Sequence, residues 1–260
     1  MYKENISGKI AFISGASAGI GEATAKMLAS NGVHLIISAR RIDRLQKLKE
    51  ELEKEYKVKV LALEIDFANI ENIKSAIGSL DKEWQNIDIL INNAGLALGK
   101  DLYENNTIED SLQMIRVNCE GLIVLTKLLL PYLLNSKNAH IVNLSSVAAD
   151  EGYSGGAIYC STKAFVDMFS DALRIELIDK PIKVTNIKPG AVNTEFSTVR
   201  FRGDREKADK VYDGFEPLYA EDIADNIEYV LTRKKHIQIS TITILAENQA
   251  TATMIHRSIK

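Results

Sequence analysis

Seven short runs of β-branched and other apolar residues, "KIAFIS", "VHLIISA", "VKVLALEI", "IDILIN", "AHIVNLS", "IKVTNIKP" and "IQISTITIL", recur from end to end of the chain with amphipathic stretches between them. Most of the runs are apolar at nearly every position. A strand with one wet face alternates with a period of two, whereas a strand buried on both faces does not. The runs therefore predict a doubly wound α/β protein, a parallel sheet of about seven strands with helices on both faces.

Nothing marks an internal boundary. The 260 residues contain only four prolines, no repeat and no Pro/Gly-rich linker, so residues 1–260 read as a single domain. One patch breaks the alternation: residues 193–219, "NTEFSTVRFRGDREKADKVYDGFEPLY", are charged and aromatic with no clean strand. A long insertion of that kind in a compact domain is expected to be a binding loop or lid. The net charge of -3 leaves no broad cationic surface for a nucleic-acid backbone or an anionic membrane. The longest greasy run, "LIVLTKLLLPYLL", is interrupted by Lys127 and Pro131 before it reaches spanning length, and "MYKENISGKI" lacks the apolar core of a secretory signal. A cytoplasmic protein is expected. Cys119 and Cys160 have no paired spacing, so free thiols are expected rather than a disulfide or a metal site.

The first run leads into "SGASAGIGEATAKML", with Gly15, Gly19 and Gly21 spaced G-x-x-x-G-x-G between a strand and a helix. Glycines let a backbone turn tightly against a ligand, and a helix N-terminus offers unpaired N–H groups to a pyrophosphate. Three glycines at such a turn are otherwise simple punctuation; their place after the first strand of a βα chain favours a dinucleotide. The end of the second run separates the two nicotinamide dinucleotides, because a carboxylate there suits a ribose 2′-hydroxyl and an arginine suits a 2′-phosphate. The chain reads "SARRIDRL", with Arg40 and Arg41 in that place. NADP is the expected cofactor, unless the two arginines only solvate the next helix, as Arg44 is expected to do. Asp66 and Phe67 after the third run, and Asn93 in "NNAG" after the fourth, also fall at strand ends where such sheets bind ligands. Asp66 is placed to hydrogen-bond an adenine and Asn93 to lie against its ribose; either is alternatively a turn residue.

In "AIYCSTKAF", Tyr159 and Lys163 lie four positions apart, one helical turn on one face. An ammonium beside a phenol favours the phenolate, so the pair predicts a tyrosine with a lowered pKa that exchanges protons with a substrate alcohol, while Lys163 keeps donors for the nicotinamide ribose. Upstream, "IVNLSS" ends a strand in serines able to hold a carbonyl oxygen, and "RVNCEGLIV" puts Asn118, a poor helix former, within a long helix, where its amide is placed to orient water or the lysine.

The ordered set SGASAGIG, NNAG, Asn118, the serines, YCSTK and "PGAVNT" resembles the short-chain dehydrogenase/reductases, enzymes of the Rossmann fold, over practically the whole chain. The resemblance implies a catalytic tetrad of Asn118, Ser146, Tyr159 and Lys163. Ser146 is chosen over Ser145 because family members carry the serine thirteen positions before the tyrosine. It also implies cofactor contacts from Ser17 and Ile20 in the turn, from Ala94 and Gly95, and from Pro189, Gly190, Val192 and Thr194. Ser14 stands where threonine is more usual, and the hydroxyl is retained. The family usually forms homotetramers through two long helices, here expected at about 107–135 and 156–179.

The segment "TEFSTVRFRGDREKADKVYDGFEPLYAEDIA" and the C-terminal "NQATATMIHR" are similar to a narrower branch, the NADP-dependent 3-hydroxy acid dehydrogenases, which oxidise serine, allo-threonine and related acids. Such a substrate carries a carboxylate, for which Arg200, Arg202 and Arg205 are candidates by charge; Tyr153 either lines the same pocket or covers it. The reaction so implied is hydride transfer at the hydroxyl-bearing carbon, with Ser146 holding the oxygen and Tyr159 moving the proton. Two alternatives stand beside it: a carbonyl reductase of the same family acting on ketoacyl, sugar or aliphatic substrates, and a nonenzymatic nucleotide sensor, which would usually lack the tyrosine or the lysine.

Overall fold

A computed structural model describes residues 3–258. In chain order the elements are β1 (Ile10–Ser14), α1 (Gly19–Ser30), β2 (His34–Ala39), α2 (Ile42–Tyr56), β3 (Val60–Glu64), α3 (Ile70–Gly78), β4 (Ile89–Asn92), α4 (Ile108–Ile115), α5 (Leu122–Leu134), β5 (Ala139–Leu144), α6 (Ala157–Glu176), β6 (Ile182–Pro189), α7 (Glu195–Arg200), α8 (Arg205–Asp209), α9 (Ala220–Leu231) and β7 (Thr241–Ile244). The seven strands form one sheet in the order β3-β2-β1-β4-β5-β6-β7, and every pairing is parallel. The order reverses between β1 and β4, and a crevice opens at the carboxyl ends of strands where that happens.

Alternate residues of each strand serve opposite faces. Phe12, Ile36, Leu90, Ile141 and Val184 pack with α3, α5 and α6, while Ile13, Leu35, Ile37, Ile91 and Val142 pack with α1, α2 and α9. This double burial is why the central strands are mostly apolar; the two edge strands are the exceptions, β7 with exposed Thr241 and Thr243 and β3 with exposed Glu64. Burial of each large side chain contributes about 1.5–3 kcal/mol, so the two apolar layers fix the sheet and with it the ends of β1, β4, β5 and β6.

The long helix expected at about 107–135 is present, and one expectation about it changes. Pro131 lies inside α5 without ending it, and α4, a π-helical stretch at Arg116–Gly121 and α5 form one continuous run. That run, Ile108–Leu134, is long and apolar enough to cross a membrane, contrary to the sequence reading, but half of its apolar window is buried inside the fold. The π-stretch places Gly121 against the carbonyl of Phe67, where a Cβ would not fit. Ile108, Met168 and Ile175 remain exposed on α4 and α6.

Residues 193–219 fold over the crevice as α7, α8 and a 3₁₀ turn at Lys210–Tyr212. Thr194 caps α7 by accepting from the Phe196 N–H, Asp204 caps α8 by accepting from the Lys207 N–H, and a bridge between Val192 and Leu218 closes the base of the segment.

Candidate active site

At the reversal of strand order lies a cleft of about 770 Å³. Its floor is the turn after β1. Gly15 sits at φ +72°, a conformation side chains rarely adopt, and a Cβ on Gly21 would run into the Gly15 carbonyl and the Asn93 side chain. Asn93 holds the turn shut: its Nδ2 donates to the carbonyls of Ser14 and Gly15 at 3.0 Å each, and Ser14 Oγ accepts from the N–H groups of Asn93 and Ala94. Asn93 lines the cleft where the ribose contact was expected, and its two amide donors at the same time brace the turn. Helix α1 starts at Ala18 with no side-chain cap, which leaves its N–H groups facing the cleft with Ser17, Gly19 and Ile20.

Around this floor stand the other predicted groups. Arg40 and Arg41 line one end with Asp66 and Phe67; Ala94 and Gly95, the latter close to Lys163, and Pro189, Gly190, Val192 and Thr194 also line the cleft. Arg41 donates from Nε and Nη2 to Ser17 Oγ and from Nη1 to Glu195 at 2.8 Å, and Arg44 donates to both oxygens of the same carboxylate. Arg44, read as merely solvated, is therefore an ion-pair partner. Glu195, at the first turn of α7, went unnoticed in the sequence because its partners lie about 150 residues away. Both guanidinium ions hold its carboxyl below the usual range. Arg40 is exposed and has no partner among the described residues.

The other end carries the acid–base groups. Tyr159 and Lys163 share one face of α6 and are both buried. Lys163 Nζ donates to the Leu144 carbonyl at 2.8 Å and lies 5.9 Å from the Tyr159 ring centre. The two serines separate cleanly. Both line the cleft, but Ser145 Oγ donates to the Lys163 carbonyl, whereas Ser146 Oγ acts on the Tyr159 phenol, favouring its ionisation. Asn118 lies behind the wall, 2% exposed. Its Oδ1 accepts from Leu96 N–H, and its Nδ2 donates to the Leu96 carbonyl and to Thr162 Oγ1, joining the β4 loop to α6. That makes it a positioning residue here rather than a group in the cleft.

One electrostatic expectation is reversed. The Tyr159 phenol is pushed well above its ordinary value, first by burial and then by Tyr153, against smaller lowering effects from the Ser146 hydrogen bond and from Arg200. Lys163 instead bears the cost of burial itself, falling from 10.5 to about 8. Desolvation outweighs a cation whose hydrogen bond goes to a carbonyl instead of the phenol.

The three candidate arginines diverge. Arg200, on α7, donates from Nε to the Gly99 carbonyl and from Nη1 to Tyr153 Oη at 3.3 Å, and lies 5.8 and 5.7 Å from the ring centres of Tyr153 and Tyr159. Its Nη2 is buried without a partner. Arg202 does not reach the cleft: at φ +54° the chain turns outward and its guanidinium pairs with Asp110. Arg205, on α8, lies outside the lining as well. Tyr153 lines the pocket beside Gly156, where any side chain would strike its ring.

A family model described as short chain dehydrogenase matches residues 9–204. The chain belongs to the short chain dehydrogenase family. Among curated members of that family, an NADP-dependent 3-hydroxy acid dehydrogenase of Schizosaccharomyces pombe is 43% identical over 253 residues, 97% of this chain and 98% of that protein. Among solved structures, a closed form of serine dehydrogenase complexed with NADP+ superposes with a TM-score of 0.88 at 39% identity, covering 96% of this chain and all of that one. An alcohol dehydrogenase of Thermococcus sibiricus complexed with 5-hydroxy-NADP superposes with a TM-score of 0.82 at 28% identity, covering 93% and 98%.

Within this short chain dehydrogenase, the C-terminal residues add what motifs alone did not name. Gln249, 6% exposed, accepts from the Ala191 N–H and packs where a Cβ on Gly190 would stand, so it fixes the Pro-Gly segment. Arg257 binds the carbonyls of Val211 and Asp213 and stacks on Phe215, tying the chain end to residues 193–219. The only sequence signal for either was the likeness of "NQATATMIHR" to the narrower branch.

Proposed function

We propose that the protein is an NADP-dependent dehydrogenase of small 3-hydroxy acids such as serine, L-allo-threonine and 3-hydroxypropionate. The observation that carries this reading is Arg200, whose half-buried guanidinium lies against the rings of Tyr153 and Tyr159 with one buried nitrogen, Nη2, unpaired among the described residues. A carboxylate on the carbon next to the reacting alcohol would complete that nitrogen through a charge-assisted bond. The S. pombe relative and the serine dehydrogenase structure point to the same substrate class.

The residues present fit the cofactor. The turn leaves no room for a Cβ at Gly15 or Gly21, the α1 terminus is uncapped, and Arg40 and Arg41 stand at the end of β2 with no carboxylate of that strand end beside them, Arg41 sharing Glu195 of α7 with Arg44. Gly15, Ser17, Gly19 and Ile20 would hold the diphosphate, the two arginines the 2′-phosphate, and Thr194 with Pro189, Gly190 and Val192 the nicotinamide end. Bound there, NADP supplies the hydride acceptor, and its oxidised ring is cationic.

The chain's own groups then divide the work. Ser146 holds the substrate oxygen. Tyr159 Oη takes the hydroxyl proton on oxidation and returns it on reduction, its acidity helped by Ser146 and Arg200 against the burial that opposes it. Lys163 keeps an ammonium beside the phenol and toward the cofactor ribose, and Asn118 fixes the loop and helix that carry them. Residues 193–219 act as the lid that brings Arg200 over the substrate and excludes water. The exposed apolar residues of α4 and α6 support a homotetramer, and composition supports a cytoplasmic location.

The test is absorbance of reduced nicotinamide with NADP and a panel of serine, allo-threonine, 3-hydroxypropionate and carboxylate-free alcohols. The parent should prefer the acids. Arg200→Met should lower kcat/KM for the acids by about 10- to 100-fold more than for the alcohols, which lose only the help Arg200 gives the Tyr159 phenol. Equal acid turnover by parent and variant, or a parent that prefers plain alcohols, overturns the substrate assignment; Tyr159→Phe turning over at the parental rate overturns the acid–base one.

A further inference from the structure

Beneath the tetrad lies a second charged cluster to which no role has been given. Lys188, on β6 immediately before the Pro189–Gly190 segment, is buried to 8% side-chain exposure, and its ammonium bridges two carboxylates. One is Asp150, directly after the 3₁₀ turn Val147–Ala149 that Ser146 caps by accepting from the Ala148 N–H. The other is Asp167, 2.8 Å from Nζ, on α6 one turn beyond Lys163. Asp167 also accepts from Asn186 Nδ2 on the same strand β6. Tyr159, Lys163 and Asp167 therefore form one i, i+4, i+8 stripe whose far end is pinned to β6, and the serine loop is pinned to the same point.

We propose that Lys188, with Asp150 and Asp167, is a positioning group for the reaction: it clamps the loop carrying Ser146 and the helix carrying Tyr159 and Lys163 to one strand, and Asp167 holds Lys163 in its charged form. The physical argument is that the buried Lys188 ammonium must keep its carboxylates, Asp167 at 25% and Asp150 at 54% side-chain exposure, so neither segment can slide without leaving a buried cation unpaired. The groups facing Lys163 are Tyr159 and Asp167 from its own helix and Cys119 from the Arg116–Gly121 stretch. Of these, Asp167 is the carboxylate, and it favours the protonated amine; Cys119 is held as a thiol by burial, its pKa raised to about 11. The inference rests on the reading of Lys163 as a working ammonium.

The experiment is the pH dependence of kcat/KM for a 3-hydroxy acid at saturating NADP, in the parent and in D167N, K188M, K188R, D150N and K163M. D167N should move the alkaline limb to lower pH by about half a unit or more, since it removes a negative charge near Lys163. K188M should move the limb the other way, because Asp167 then acts on Lys163 without a competing cation, and should lose roughly tenfold in kcat with the KM for NADP unchanged. K188R should restore most of that loss, and D150N should lower kcat without moving the limb. An unmoved limb in D167N overturns the proposal, as does parental kcat in K188M. If K188M does not fold, D167N and K188R decide alone. Should K163M be inactive at every pH while D167N matches the parent, the reading of Lys163 stands and this inference falls; should K163M be active, the reading itself falls.

Discussion

Replacing Lys163 by methionine is expected to abolish turnover and yet make the folded protein more stable at neutral pH. The lysine is 6% exposed, and burial lowers its pKa from 10.5 to about 8. A base whose folded pKa lies below its unfolded value is bound to its proton more tightly in the unfolded chain, so its charge opposes folding. At about 1.36 kcal/mol per unit, the fall from 10.5 to about 8 corresponds to about 3 kcal/mol of opposition at any pH below 8. Methionine removes that opposition and nearly conserves volume, but it strands the Leu144 carbonyl that accepts from Nζ. An unsatisfied buried acceptor costs about 1–3 kcal/mol, so the net gain is about 1 kcal/mol, or roughly 3 °C in Tm for a chain of this size. The pH signature separates the two contributions. Between pH 8 and 10.5 the unfolded lysine holds its proton and the folded one does not, so parental stability rises with pH across that window and the gap between parent and variant closes and then inverts, leaving the variant with the cost of its stranded acceptor. Denaturant melts of both proteins at steps from pH 6.5 to 11, with NADP absent, read the gap directly. A gap that stays constant from pH 8 to 10.5 refutes the reasoning, because it would mean that Lys163 is not held near 8 in the folded state.

His140 provides the opposite limb of the stability profile. Burial beside Lys183 and Lys9 lowers its pKa from 6.5 to about 3, and its Nε2 donates to Thr185 Oγ1, whose own proton goes to the Ile239 carbonyl. Unfolding therefore takes up a proton between pH 6.5 and 3, and stability should fall by up to about 4–5 kcal/mol as pH drops through that range. His140→Gln should flatten that fall in acid denaturation; an unchanged acid limb would place the lability elsewhere. At the cofactor end, Arg41→Ala removes one guanidinium from the 2′-phosphate position and frees Glu195 from one of its two partners. Its affinity for NADP, followed by fluorescence titration of the reduced form, should drop about 10- to 100-fold with little change for NAD, and an equal loss for both would refute the phosphate assignment.

What was legible in the sequence is what a single element decides for itself. A strand buried on both sides is apolar at most positions, so the central strands announced themselves, and so did the sheet they share, with paired polar groups such as Lys188 of β6 as the exceptions. The glycine turn was legible because positive φ at Gly15 and the contact at Gly21 exclude side chains locally. The Tyr159–Lys163 pair needed only the pitch of a helix.

Tertiary structure alone decided the rest, because it depends on groups distant in sequence meeting at a chosen register. Arg200 and Arg202 are two residues apart and equal by composition, yet one is locked to Gly99 under the lid and the other pairs with Asp110 outside, according to how the chain turns at Arg202. Asn93 and Asn118 were both placed at the site by sequence, yet only the fold puts Asn93 in the cleft lining, bracing the glycine turn, and Asn118 behind the wall, where its amide joins Leu96 to α6. The direction of the Tyr159 shift was misread for the same reason: spacing along a helix reports that a cation is near, whereas the extent of desolvation is set by every element that closes over the phenol.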